Sequence, residues 1–182
     1  MLLTPKEYIN YENKRKYSVM AISILIALIG SIFCGLNGLF PFFLFFGESL
    51  TIFTTTEVFV QFLLALLFIG NILLYFLINE GLSRAIYKKK ENTLKFLNTF
   101  SIVFFPLDIY LVLRFILASI GFLNLSYISV FDNILMILFQ VWSLWLLTYN
   151  LSINKKLKIE NSLIVSLLVH YAGFSIILLI SI

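Results

Sequence analysis

Ser166 and His170 stand four residues apart, one helical turn, and a carboxylate such as Asp108 would complete the set that a serine hydrolase uses to draw a proton from its hydroxyl. The setting for that chemistry is missing. Ser166 lies inside an uninterrupted apolar run, with no glycine-framed turn to present its hydroxyl. His170 is the only imidazole and Cys34 the only thiol, too few soft donors for a zinc site or a pair of axial haem ligands. A single cysteine permits no intrachain disulfide, and neither a phosphate loop nor a dinucleotide fingerprint occurs. These residues predict no catalytic, cofactor-binding or metal site, and hence no enzyme.

Asn71, Asp108, Arg114, Gln140 and His170 say more, because each interrupts a long apolar run. A charge placed in hydrocarbon costs at least about 2.5–3.5 kcal/mol on insertion scales, so a partner is expected. Counted at about 1.5 Å per residue from the basic end of each run, Asn71, Asp108, Trp142 and His170 stand roughly 10–12 Å in. Gln140 is slightly higher and Arg114 nearer the middle. Residues at equal depth on different helices can meet, which predicts a polar layer in which Asp108 faces His170 or Asn71. Arg114 is expected to reach Gln140, a carboxylate or a backbone carbonyl. Such a layer is either structural or a substrate or proton site.

The elements that must position these residues follow from composition. Of 182 residues, 61% are hydrophobic and 12% charged, against about 25% charged in a soluble domain. With a mean hydropathy of +1.03, the chain could not hide its apolar side chains inside a water-soluble globule. A spanning helix needs about 20 apolar residues, and five segments qualify: 17–39, 57–78, 101–123, 130–150 and 162–182. Short loops make neighbours antiparallel. The expected fold is all-α, a single transmembrane domain over 1–182 built as a bundle of five transmembrane helices behind a short cytoplasmic segment, 1–16.

Charge gives the orientation. Lys6, Lys14, Arg15 and Lys16 precede the first span; Arg84, Lys88, Lys89, Lys90 and Lys95 follow the second; Lys155, Lys156 and Lys158 follow the fourth. The opposite side carries Glu48, Glu57 and Asp132 instead. Because basic loops stay cytoplasmic, the N-terminus is expected inside and the C-terminus outside. The formal charge of +4 is thereby a topology signal and calls for no nucleic acid. Lys88-Lys89-Lys90 would also suit anionic lipid head groups, but plain positive-inside signalling is the favoured reading.

Packing signals are local. Gly30, Cys34 and Gly38 recur every four residues with Ser31 and Gly35 beside them, a stripe that admits a close neighbouring helix, within the bundle or in a second copy. Phe33 precedes Cys34 where a lipoprotein signal needs a small residue, so a retained first span is expected. Thr4-Pro5-Lys6-Glu7 reads as a capping box opening a short interfacial helix. Phe40 to Phe46 reads as an outer aromatic belt, whereas Trp142 and Trp145 suit interhelical packing.

Three stretches add a resemblance: GNILLYFLINEGLSRAIYKKK from Gly70 to Lys90, FLNTFSIVFFPLDIYLVL around Pro106, and VWSLWLLTYNLSINKKLKIENSLIVSLL. With the five-span layout they resemble compact prokaryotic members of the Yip (Ypt-interacting protein) domain family. The tyrosine and glycine often found before the third-helix proline are absent, with Ser101 and Ile102 in that stretch, as is the long cytosolic N-terminus of eukaryotic members. The resemblance implies a non-enzymatic protein of the prokaryotic plasma membrane that organises membranes or partner proteins. It transfers no catalytic residues and does not carry over association with Rab-type GTPases. The alternative expectation is a small transporter or substrate-binding subunit working with an energising partner. The bilayer is the expected partner in either case, with other membrane proteins or a homo-oligomer beside it, and no cofactor.

Overall fold

The computed structural model describes residues 16–37, 58–88, 93–120 and 128–180, and among these the side chains of 21–37, 58–88, 93–120 and 130–169. Every element among them is helical: α1 (Lys16–Leu36), α2 (Val58–Tyr87), α3 (Thr93–Phe100), a 3-10 turn (Ser101–Phe104), α4 (Phe105–Ser119), α5 (Ile128–Asn154) and α6 (Ile159–Ile180). Three rods are long and apolar enough to cross a membrane: Val58–Tyr87, Thr93–Ser119 and Val130–Asn154. Ala21–Leu36 and Ile159–Val169 are shorter apolar helices within the part described at side-chain level.

The helices outrun the apolar segments in physically sensible ways. α2 continues to Tyr87 rather than ending near residue 78, because its added turns are internally bonded: Asn79 donates to the Tyr75 carbonyl and Ser83 to the Asn79 carbonyl. Arg84 meets Glu80 one turn back. The third rod begins at Thr93, about two turns before the apolar run. Its 3-10 turn leads into Pro106 in the first turn of α4, where a missing N–H costs nothing. α5 starts at Ile128, so Asp132 is a helical residue and not part of an outer loop.

The chain forms two compact units, one of 1–25, 73–103 and 144–182, the other of Ile26–Ile72 and Phe104–Ser143. In the first, Phe76, Phe96 and Phe100 make a ring cluster with centroids 5.3–5.6 Å apart, a spacing at which edge-to-face contact is favourable. In the second, Phe68 meets Phe104 edge-on at 5.9 Å, Phe33 meets Phe115 at 5.6 Å, and Trp142 stacks on Phe139 at 6.1 Å. Trp142 also meets Phe105 of α4 edge-on at 6.4 Å and so packs between helices as expected, while Trp145 is half exposed and touches Tyr149 on its own helix.

Much of the described surface outside these cores is apolar. Val58, Phe59, Phe62, Leu66, Leu73 and Leu77 of α2 are all at least half exposed. A soluble protein rarely displays so continuous an apolar face; a bilayer supplies the missing contacts. Composition, helix length and surface agree on an integral membrane protein.

Candidate functional site

Gly30 and Gly35 set how closely helices approach in the second unit. A methyl group on Gly30 would run into the Asp108 carboxylate and the Phe68 ring; one on Gly35 would run into the backbone carbonyl of Gln61. Cys34 is wholly buried on the same helix. The small-residue stripe is thus a close-packed seam inside the fold at Gly30, Cys34 and Gly35. Gly38 lies outside the described residues, as do Lys89, Lys90, the capping box at Thr4 and the aromatic run Phe40 to Phe46.

Asp108 is 3% exposed, and neither of its oxygens accepts a hydrogen bond among the described residues. The helical seam brings it against Gly30 and Phe68. Asn71 is also buried in this unit, and Gln140 is half-buried in it. The side chain of His170 lies outside the described residues, and with it the expected Asp108–His170 meeting.

Arg114 takes a carboxylate, one of the partners the sequence allowed it, rather than Gln140. Its Nε donates to Asp132 Oδ2 at 3.0 Å, and Nη1 to Asn37 Oδ1 at 3.5 Å. Tyr110, one helical turn before Arg114, donates its hydroxyl to the other Asp132 oxygen at 3.0 Å. Asn37 spends its amide on the Phe33 and Leu111 carbonyls at 2.7 and 2.9 Å, tying the end of α1 to α4. Both partners of the Arg114–Asp132 pair are nine-tenths buried. Sequence reasoning missed Asn37, Tyr110 and Asp132. The usable signal was Arg114 itself, the one basic residue outside the three basic segments, with Tyr110 on its face.

The first unit holds a second cluster. Glu80 is shared by two cations: Arg84 Nε at 2.6 Å on one oxygen and Lys155 Nζ on the other. Thr93 donates to Glu80 Oε1 at 2.8 Å and accepts from Arg84 Nη2 at 3.1 Å and Lys155 Nζ at 3.3 Å. The Lys155 ammonium also sits 5.4 Å over the Phe96 ring, within cation–π range. Of the basic residues read as an inner-loop set, Arg84, Lys88, Lys156 and Lys158 are exposed, but Lys155 is fully buried. Burial requires a matched charge, and Glu80 supplies it.

Near the end of α3, Thr99 donates to Asn150 Oδ1 at 2.9 Å and accepts from Asn154 Nδ2 at 3.0 Å, while Asn150 donates to the Thr99 carbonyl at 3.0 Å. Ser166, the nucleophile considered above, donates to the Ser162 carbonyl at 2.8 Å and meets Thr148 at 3.3 Å. Its hydroxyl is occupied as a helix-interior serine. Among the described residues, no group of three or more His, Cys, Asp or Glu is placed to hold a metal ion. Compared with known proteins, the chain matches no family model, no curated protein and no solved structure.

Proposed function

We propose that this chain is a non-enzymatic scaffold or accessory subunit that crosses the membrane five times, with its N-terminus in the cytoplasm and its C-terminus outside. The observation that carries this reading is the closure of its polar clusters. Glu80, Arg84, Thr93 and Lys155 satisfy one another, as do Tyr110, Arg114 and Asp132. Buried polar groups spent on each other hold helices in register in lipid and leave little to bind a solute. The basic segments support the orientation. The likeness to compact Yip-domain proteins supports a membrane-organising role in a prokaryotic plasma membrane, exercised on other membrane proteins or a second copy of the chain.

A second reading, a small transporter, is favoured by one residue. Asp108 is buried without a hydrogen-bond donor among the described residues, and an intramembrane carboxyl of that kind is a default candidate for carrying a cation. Sealed vesicles containing the purified chain and an internal pH dye separate the two. Under an imposed potential, the scaffold predicts proton flux equal to that of empty vesicles. Flux that disappears in Asp108→Asn would replace it with the transporter.

A further inference from the structure

The chain contains two aspartates, both buried in the second unit, and their surroundings differ. Asp132 faces the Arg114 guanidinium at 3.0 Å. Arg114 is the one basic residue in the whole sequence of that unit, so the unit holds no second cation for Asp108. The other titratable side chains on its described helices are Cys34 and Tyr110, and Tyr110 donates to Asp132. Asp108 is 3% exposed, and neither of its oxygens accepts a hydrogen bond among the described residues. An ionised carboxyl so placed carries a desolvation cost that these neighbours do not offset.

Those neighbours also select what the carboxyl can bind. On the α1 side, Asp108 Oδ1 sits against the Gly30 backbone, where even a methyl group has no room. The Phe68 ring crowds the same point, and Phe104, one turn before Asp108, packs edge-on against that ring at 5.9 Å. Cys34 lies one turn along α1 from Gly30, wholly buried and within electrostatic reach of Asp108. A hard metal ion needs several oxygen ligands at about 2–2.6 Å. Gly30, Cys34, Phe68 and Phe104 offer no side-chain oxygen, and the contact at Gly30 leaves no space for a hydrated ion. A proton needs neither a ligand shell nor a cavity.

We propose that Asp108 is a proton-binding site, holding its proton while α1 is packed on α4, and that loss of the proton parts the two helices at Gly30 and uncovers Cys34. The acid O–H bond breaks, the proton leaves to water, and the carboxylate left behind must find water too. Separating the seam is what lets water reach it. The inference goes beyond both functional readings. A scaffold would keep this proton as a structural ligand, and a transporter would exchange it across the membrane.

The full chain in lipid vesicles, carrying 13C in its aspartate carboxyls, tests this by infrared spectroscopy and by N-ethylmaleimide labelling of Cys34. Near neutral pH an acid carbonyl band should shift with the isotope, and it should be missing in Asp108→Asn. The only other aspartate is ion-paired with Arg114, so the isotope assigns the band to Asp108 in the parent chain whether or not the variant folds. As pH rises, the band should be lost while Cys34 labelling in the parent climbs above that in Asp108→Asn. Ionisation puts negative charge beside the thiol and gives its attack no chemical help, so the excess reports access. Absence of an isotope-shifted acid band near neutral pH overturns the bound proton. A band abolished by sodium at constant pH gives the site to a metal ion and overturns it equally. Equal labelling of the two chains at every pH overturns the coupling to the seam. None of these readouts measures flux, so they can fail while the scaffold reading stands.

Discussion

Lys155 is wholly buried and ion-paired with Glu80, with Thr93 bonded to both side chains. The pair fastens the chain just past α5 to the last turns of α2 and the start of α3, all within one unit. Removing Glu80 strands Lys155 as an uncompensated buried charge, at a cost of about 3–5 kcal/mol, whereas removing Lys155 leaves Glu80 paired with Arg84. Glu80→Leu should therefore lower unfolding stability strongly, whereas Glu80→Leu combined with Lys155→Met should recover most of it. A double-mutant cycle on unfolding in mixed micelles measures the coupling. Additive effects would show that the two charges are solvated independently.

The glycines make a second contrast. At Gly35 the obstacle to a methyl group is the Gln61 backbone carbonyl, which moves only if two helices separate. Gly35→Ala should destabilise by about 1–3 kcal/mol, the range for overpacking. Gly81, also helical, has nothing near its missing Cβ. Gly81→Ala should stabilise by about 0.5–1 kcal/mol through backbone entropy alone. Gly30 lies between these cases, since the side chains of Asp108 and Phe68 can give way to Ala but not to Leu. Thermal midpoints of the variants in one detergent should rank in that order.

Much of the architecture was legible because lipid imposes simple demands. Long apolar runs gave helices at each expected place, and Gly30 and Cys34 marked a seam that does pack closely. What escaped was decided by pairings between distant residues. Glu80 and Lys155 look like solvated loop charges until folding puts them together. Asp132 sits at the edge of an apolar run, and only the position of Arg114 makes it a buried partner. The helix extensions past residue 78 and before residue 101 were hidden for a related reason: polar turns such as Asn79–Tyr87 are helical because their side chains cap one another, which hydropathy does not register.

Topology is testable directly. With Cys34 replaced, a cysteine at Lys88 or Lys156 should resist a membrane-impermeant thiol reagent in intact cells, while one at Ser49 or Ser126 should react. Both lysines are exposed, so protection there reports the membrane and not burial in the protein. Labelling of Lys156→Cys from outside would remove the five-span, N-inside arrangement.

The two buried aspartates of the second unit should respond oppositely to the same substitution. Asp132 accepts from Tyr110 and from Arg114, and Asn in its place leaves a buried guanidinium without countercharge. Asp132→Asn should therefore cost about 3–5 kcal/mol. Asp108 accepts from nothing among the described residues, so Asn removes no bond, and Leu, of similar shape, exchanges an unsatisfied polar group for an apolar one. Asp108→Asn and Asp108→Leu should both unfold within about 1 kcal/mol of the parent, or later than it, because an unpaired buried polar group is itself a cost. Denaturant midpoints of the three variants at one pH make the comparison. If Asp108→Leu collapses while Asp108→Asn is tolerated, the carboxyl has a donor, and His170→Ala is the variant to make next: loss of the difference between Asn and Leu in that background would identify His170 as the donor.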